Sequence, residues 1–149
     1  GKEATKVVNI EKCYSPINRY KVIDEGSDVA IIAAGSYFSL GERVASLLSS
    51  KYGITPTLIN PRYLTGIDKC VLNSLKENHK VIATLEDGVL DGGFGEKISR
   101  FFAPTDMRVL NFGAKKEFVD RYNIKEFLRA NHLTDDIIVE DIINCLGNS

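Results

Sequence analysis

The pattern of apolar and polar residues changes its period several times after residue 20. The run 29–34 is apolar at every position, which predicts a strand in the middle of a sheet with helices on both faces. Elsewhere apolar residues fall three and four positions apart, which is typical of amphipathic helices. We predict strands at 20–23, 29–34, 56–59, 81–85 and 108–112, helices carrying 40–48, 71–75 and 94–102, and further helices at 115–122, 124–131 and 134–146.

Local signals mark where several of these elements begin and end. Ser39 followed by Glu42 fits a capping box near the start of the first helix, and Gly53 fits its C-terminal cap. Asp68 is placed to cap the second helix. The glycine-containing turn at 25–27 separates the first two strands, so we expect these strands to form a hairpin.

Strands and helices in alternation predict one α/β domain built in three layers. Its sheet is mostly parallel with right-handed crossovers, an antiparallel edge strand comes from the opening hairpin, and helices cover both faces. The 149 residues are about the size of a single domain. Residues 1–19 lack a sustained period, and we interpret them as a linker or arm from an upstream domain, with 20–149 as the folded domain.

The charge balance argues against two classes of partner. Nineteen Lys and Arg stand against twenty Asp and Glu, which leaves a net charge of -1. A broad electrostatic surface for nucleic acid or for lipid headgroups is not expected at that balance. No apolar run approaches the ~20 residues that span a bilayer, and no apolar leader opens the chain. We expect a cytoplasmic protein with neither a nucleic-acid nor a membrane partner.

The cysteines and histidines do not form a metal-binding pattern. Cys13, Cys70 and Cys145 lie far apart, and the chain has two histidines, His79 and His132. Zinc sites need clustered thiolates and imidazoles at short spacings. We therefore expect no metal site, buried cysteines kept reduced in the cytosol, and histidines that are exposed or capping rather than catalytic.

Ligands and partners of such sheets meet the loops at the carboxyl ends of the strands. Gly35 and Ser36 follow the second predicted strand, and Arg62 follows the third. The most unusual loop is 86–95, because it holds four glycines and three carboxylates and leads into a helix. The residues of this loop that we single out are Glu86, Asp87, Asp91, Gly92, Gly93 and Gly95.

These loops do not complete an active site. The G-x-G-x-x-G and P-loop spacings are absent, and the carboxylates would repel phosphate. Glu86, Asp87 and Asp91 resemble an acid–base group, but without tryptophan as a sugar platform we favour helix capping or an inter-domain contact. Ser36 misses the nucleophile-elbow pattern and fits a helix cap, and Arg62 fits a salt bridge better than an anion site. We expect packing glycines and partner-contact loops, with no catalytic, cofactor-binding or metal-binding residue.

Four stretches of the chain resemble one enzyme family. They are GSDVAIIAAG at 26–35, LINPRY at 58–63, LEDG at 85–88 and GGFG at 92–95. Together they resemble the C-terminal domain of transketolase-like, thiamine-diphosphate-dependent enzymes, and within these the 1-deoxy-D-xylulose-5-phosphate synthase family most. The resemblance runs from about Tyr20 to Leu146, and the last two stretches are its most specific part.

The resemblance implies that the chemistry takes place outside this chain. In that family a Gly-Asp-Gly motif on the first domain holds the diphosphate and Mg²⁺, and a glutamate on the second domain activates the thiamine ring. No family catalytic residue maps onto this chain. The domain would then bind no cofactor and would serve inter-domain and homodimer assembly, with the preceding domains of the same chain as partners. The implied parent reaction joins pyruvate and glyceraldehyde 3-phosphate, with loss of CO₂, for isoprenoid and thiamine biosynthesis.

Three alternatives stay open at this point. The parent enzyme would be transketolase itself in one, or the beta subunit of a 2-oxoacid dehydrogenase in another. In the third, from a different class, the chain is a free-standing module whose glycine loop binds a small ligand or a protein.

Overall fold

The structure, a computed structural model, describes residues 20–62, 67–89, 93–114 and 133–147, without the side chains of 87–89 and 114. In these ranges two short 3-10 turns, Gly35–Tyr37 and Leu75–Glu77, accompany the regular elements. The regular elements are, in chain order, β1 (Lys21–Asp24), β2 (Asp28–Ala33), α1 (Phe38–Tyr52), β3 (Thr57–Asn60), α2 (Lys69–Ser74), β4 (His79–Val89), α3 (Phe94–Phe102), β5 (Arg108–Ala114) and α4 (Asp135–Gly147).

The strands form one sheet in the order β1-β3-β2-β4-β5. β2 pairs in parallel with β3 and with β4, and β4 pairs in parallel with β5. β1 is antiparallel to β3 at one edge. The α/β prediction of a mostly parallel sheet with one antiparallel edge strand is confirmed. The fully apolar β2 lies in the centre, as predicted, because only a central strand buries both of its faces and pairs along both of its edges.

The predicted hairpin between the first two strands is wrong. β1 pairs with β3, and the turn after β1 passes across the start of β3 instead of folding back onto β2. There Ser27 N–H donates to Thr55 O at 2.9 Å, and Gly26 N–H donates to Thr57 Oγ1 at 2.9 Å. Both edges of β2 are already occupied by parallel strands, so the mostly exposed β1 takes the place outside β3.

β1 is an edge strand that carries an irregularity. Its register against β3 shifts between Val22 and Asp24, so Ile23 is an extra residue in the ladder. Such bulges twist an edge and disfavour the addition of a further strand. The side of β1 that faces away from the sheet is therefore poorly suited to strand pairing with another chain.

Two apolar layers, one on each face of the sheet, hold the helices in place. α1 and α4 pack together on one face, against the β2 side chains of Val29, Ile31 and Ala33. α2 and α3 cover the other face, where Ala30 and Ile32 point. The largest fully buried side chains in these layers are Phe102, Ile31, Ile32, Leu48, Ile59, Leu72, Leu75, Ile82, Leu85, Ile98, Ile138 and Ile142.

Several of the predicted helix ends are found and one is not. Gly53 ends α1 in the left-handed conformation at φ 68°, and Asp68 Oδ1 accepts from Val71 N–H at the start of α2 at 3.2 Å. The capping box at Ser39 is wrong, because the N-cap of α1 is Tyr37, two residues earlier. β4 continues to Val89, four residues beyond the predicted end. The helices predicted at 115–122 and 124–131 lie outside the described residues.

Candidate functional site

The candidate site lies where the parallel strands end and the following helices begin. The 3-10 turn after β2, the residues after β3 and the last residues of β4 and β5 all reach this edge. Because β3, β2 and β4 are neighbours in the sheet, the loops that follow them lie side by side. The structure therefore brings Gly35, Ser36 and Arg62 to one edge of the sheet, together with the end of β4.

The loop after β2 is exposed and leads directly into α1. Gly35 has a positive φ of 59°, which favours glycine, and both it and Ser36 are exposed. The N-cap position of α1 belongs to Tyr37 rather than to Ser36, and its side chain makes no capping hydrogen bond. The first turn of α1 also contains no acidic residue. The first turn of α1 therefore carries no carboxylate of its own, and the preceding 3-10 turn accepts from Phe38 N–H through Gly35 O.

Arg62 is an exposed cation beside that loop. It comes two residues after the end of β3, and its backbone N–H donates to Asn60 O at 3.0 Å. The guanidinium makes no ion pair with any residue in the described ranges, so the predicted salt bridge is not found there.

Glu86 does not project from a loop, since it lies within β4. Its side chain is only 4% exposed, and its Oε2 accepts from Gly95 N–H at 3.1 Å in the first turn of α3. A carboxylate at a helix N-terminus satisfies a backbone donor and interacts favourably with the helix dipole. Glu86 therefore joins the end of β4 to the start of α3.

Gly95 supports the interpretation of the glycines as packing residues. A Cβ atom at this position would lie 2.8 Å from Thr84 Oγ1 and 2.8 Å from Asn111 Oδ1. Glycine thus allows α3 to approach β4 and β5 more closely than any other residue would. Gly93 is in extended conformation at φ −77°, so it needs no glycine for its backbone angles. Asp91 and Gly92 lie outside the described residues, as does the side chain of Asp87.

A chain of polar side chains lies beneath α3, and the sequence analysis missed it. Thr84 Oγ1 donates to Asn111 Oδ1 at 2.6 Å, and Asn111 Nδ2 donates to Ser99 Oγ at 2.9 Å. Thr84 is fully buried, so the hydrogen bond to Asn111 satisfies a hydroxyl group whose burial without a partner would destabilise the fold. No local signal in the sequence indicates this pairing, because Thr84 and Asn111 lie 27 positions apart.

Asp68 joins Tyr20, before β1, to the start of α2. Its Oδ2 accepts from Tyr20 N–H at 2.9 Å, while its Oδ1 accepts from Val71 N–H. The Tyr20 ring lies in the apolar layer beneath α2, and burial is the main reason that the pKa of its phenol is raised well above the ordinary value. The first described residue is therefore anchored by both its backbone and its side chain.

A second polar group lies at the opposite, amino-terminal edge of the sheet. His79 Nδ1 lies 3.1 Å from Leu75 O, and because a carbonyl only accepts, Nδ1 carries the proton. Nε2 of the neutral ring then accepts from Thr57 Oγ1 at 2.7 Å, and Thr57 Oγ1 accepts from Gly26 N–H. Burial lowers the pKa of His79 to about 4, although the Leu75 carbonyl and the Asp28 carboxylate act in the opposite direction. His79 is a capping residue, as predicted, but it is buried.

The expectation for the cysteines is wrong at one position. Cys70, at the exposed start of α2, is disulfide-bonded, while Cys145 is free and half-buried. Disulfides persist mainly in oxidising compartments, so the cysteines no longer support the inference of a reducing cytosol. Within the described ranges no three His, Cys, Asp or Glu side chains come together as a metal site. No helix of those ranges is both long and apolar enough to cross a bilayer.

The fold and the matching sequences define a family. Residues 18–138 match the family described as transketolase, C-terminal domain, and the chain belongs to this family. A 1-deoxy-D-xylulose-5-phosphate synthase of Dehalococcoides mccartyi strain BAV1 is 30% identical over 138 residues, which are 89% of this chain and 22% of the relative. A protein of the same name from Lysinibacillus sphaericus is 31% identical over 124 residues, covering 80% of this chain and 19% of the relative.

Solved structures show the same fold. One is a split-gene transketolase, described as an inactive beta4 tetramer, with a TM-score of 0.76 at 22% identity over 90% of this chain and 44% of that chain. Transketolase from Pichia stipitis has a TM-score of 0.59 at 15% identity over 87% of this chain and 18% of that chain. The chain thus spans about a fifth of the length of the synthases that it matches.

Proposed function

We propose that this chain is the C-terminal domain of a 1-deoxy-D-xylulose-5-phosphate synthase. That enzyme would condense pyruvate with glyceraldehyde 3-phosphate, using thiamine diphosphate and Mg²⁺ held on other domains, and release CO₂. The observation that carries the proposal is the 30% identity to synthases of that name over nearly the whole chain. The LEDG and GGFG stretches support it as the most specific part of the sequence resemblance, and in the structure their residues Glu86 and Gly95 pack α3 on the sheet.

In this proposal the domain itself is not catalytic. The N-termini of α2 and α3 do not fit a diphosphate, since the carboxylates of Asp68 and Glu86 already bind them. A diphosphate would have to displace one of them against charge repulsion. The solved beta4 tetramer, whose description says that it is inactive, holds this fold as well. The absence of cofactor binding in this chain stays a prediction.

The role that we assign to the domain is assembly. Residues 1–19 would be the tether, 20–149 the domain, and the exposed loops at the carboxyl ends of the strands its contact with the preceding domains or with the second subunit of a homodimer. Arg62 supplies an exposed positive charge there and Gly35 and Ser36 lie at the same edge, with Asp87, Asp91, Gly92 and Gly93 in the loop that follows the neighbouring strand. A carboxylate of a partner would pair with Arg62, which makes no ion pair within the described ranges.

One assay of the complete enzyme tests the reaction. We expect CO₂ release from pyruvate that depends on glyceraldehyde 3-phosphate, thiamine diphosphate and Mg²⁺. Transfer of two-carbon units between sugar phosphates without loss of CO₂ would instead identify a transketolase. Oxidation of a 2-oxoacid in the presence of a lipoyl acceptor would identify a dehydrogenase subunit.

Titration calorimetry tests the role of this chain separately. The 149-residue chain is titrated with thiamine diphosphate and Mg²⁺, and we expect no binding heat. Micromolar affinity would contradict the assignment of the cofactor to other domains.

A further inference from the structure

A groove of about 400 Å³ lies beside α1, at the amino-terminal side of the sheet. α1 packs over β2 and β3, and α4 lies on the other flank of α1, so no helix of the described ranges covers the region next to the edge strand on this face. Ala45, Pro56 and Leu58 form the apolar part of the groove. Small residues on α1 keep it open, since Ser46 and Ser49 follow Ala45 along the same stripe of the helix.

The polar rim of the groove has a single sign of charge. Asp24, Glu25 and Glu42 line it, and none of the lining residues is Lys or Arg. No cation in the described part of the chain pairs with any of these three carboxylates; the ion pair of α1 with α4, between Arg43 and Asp135, lies elsewhere. Like charges that share a groove repel one another, and a cationic partner would remove that repulsion.

Large apolar side chains stand close to this rim. Ile23 is 38% exposed and Tyr52 is 47% exposed, and they are the two large apolar residues that the described ranges leave exposed. Tyr52 continues the α1 stripe of Ala45 and Ser49, and Ile23 is the extra residue of the bulge next to Asp24. A surface with apolar anchors and a charged rim has the composition of a protein interface.

The geometry also indicates how a partner would bind. The bulge at Ile23 makes strand addition along β1 unfavourable, so the contact must use side chains that enter the groove. Lysine and arginine suit it best, because their methylene stems cover apolar surface while their charged ends stay at the rim. Such a segment on the same polypeptide would act at millimolar effective concentration, which favours it over a second molecule in solution.

We propose that this groove docks a lysine- or arginine-bearing segment of another domain of the complete enzyme. The inference rests on the proposed function in one respect, since it needs the rest of a longer enzyme to be present. The groove is separate from the contact assigned to Arg62. The groove lies at the amino-terminal ends of the parallel strands, whereas Arg62 lies at their carboxyl ends. The domain would thus be held on two sides.

Site-specific photo-crosslinking in the complete enzyme tests the proposal. Benzoylphenylalanine replaces Ser46 inside the groove or, as the matched control, the exposed Ser50 on the same helix outside it. We expect the Ser46 probe to capture a peptide that contains Lys or Arg and comes from outside residues 20–149. Capture no greater than from Ser50, or capture of a second copy of residues 20–149, would overturn the proposal.

Charge reversal provides a second readout. Asp24→Lys with Glu42→Lys should lower the yield of that crosslink by about tenfold or more, because each lysine would face the cation of the partner. Glu77→Lys with Glu140→Lys changes the net charge equally at exposed positions away from the groove, and the yield should then stay at its original value. Equal yields from both pairs would contradict the docking of a cation.

The two proposals fail in distinguishable ways. An enzyme that lacks synthase activity but gives the Ser46 crosslink would overturn the assigned reaction and support the groove. An active synthase in which Ser46 and Ser50 behave alike would support the reaction and overturn the groove.

Discussion

The two ends of the parallel strands differ in how their polar groups are satisfied. At the amino-terminal end, His79, Thr57 and Gly26 form a closed chain of hydrogen bonds in which every donor has an acceptor inside the domain. At the carboxyl-terminal end, Arg62 is exposed and makes no ion pair within the described ranges. The buried hydrogen bonds stabilise the fold, whereas the exposed charges, Arg62 at one end and the acidic rim of the groove at the other, are the groups that we assign to partners.

Glu86 shows that the carboxyl-terminal end has an internal layer as well. This carboxylate and the Thr84–Asn111–Ser99 chain lie beneath α3, where they fix the helix that follows the glycine loop. Removing Glu86 would therefore weaken the fold, and it cannot by itself test a contact with a partner. A substitution of Arg62, which is exposed, can test such a contact.

The largest effect should come from Gly26→Ala. The added Cβ would collide with the backbone carbonyl of Thr55, which cannot move without shifting the start of β3. We expect the free energy of unfolding to fall by about 3 kcal/mol or more, measured by urea denaturation. Gly147→Ala, whose Cβ would meet nothing within 4 Å, is the matched control and should change little. Equal stability of the two variants would contradict the close crossing of the turn over β3.

His79 should make stability depend on pH. Its pKa is about 4 in the folded domain and ordinarily 6.5, so between these values the unfolded chain binds a proton that the folded domain does not. The free energy of unfolding therefore falls as the pH drops through that window, by roughly 3 kcal/mol in total from this residue. Denaturation curves recorded from pH 7.5 to pH 4 measure it.

His79→Gln is the control for that titration. The variant should be less stable at pH 7, and the difference between the two proteins should shrink as the pH falls. If the free energies of unfolding of the original protein and of His79→Gln change with pH in parallel, burial does not hold His79 neutral.

A third effect is expected beneath α3. Gly95→Ala would bring a methyl group within 2.8 Å of Thr84 and Asn111, so α3 must move away from the sheet. We expect a loss of about 2 kcal/mol in unfolding free energy, with Gly147→Ala again as control. If Gly95→Ala leaves the melting temperature unchanged, as Gly147→Ala should, α3 packs less closely on the sheet than described.

The smallest effect on the domain should come from the bond between Glu86 and α3. Glu86→Gln keeps an acceptor for Gly95 N–H but loses the charge, and should cost about 1 kcal/mol. Glu86→Leu leaves that N–H without its acceptor and should cost about 2 kcal/mol. Thermal unfolding measures the stability of both variants. A leucine variant more stable than the glutamine variant would contradict the hydrogen bond between Glu86 and Gly95.

Much of the fold follows from local pattern. The apolar run of β2 predicted its central place, and Gly53 and Asp68 predicted two helix ends, because caps depend on a few neighbouring residues. The pairing of β1 was not predictable in this way. Whether β1 joins β2 or β3 depends on which strand has a free edge, and only the assembled sheet decides that.

The candidate site was predicted as a region but not in its detail. The loops that carry Gly35 and Arg62 do meet at one edge, since strand order and direction bring them there. The burial of Glu86 was missed because β4 extends four residues further than its apolar run. The pairing of Thr84 with Asn111 joins residues 27 positions apart and has no local signal.

Sedimentation of the complete enzyme tests the assembly role most directly. Arg62→Glu reverses the exposed charge at the carboxyl ends of the strands, and Arg100→Glu does the same on the exposed side of α3. If Arg62 contacts a partner surface, its reversal should cost about 2–5 kcal/mol of association free energy, seen as dissociation of the assembly or loss of activity. The isolated domain should melt at the same temperature with either substitution. Assembly and activity that stay unchanged in Arg62→Glu would contradict the docking role of this edge.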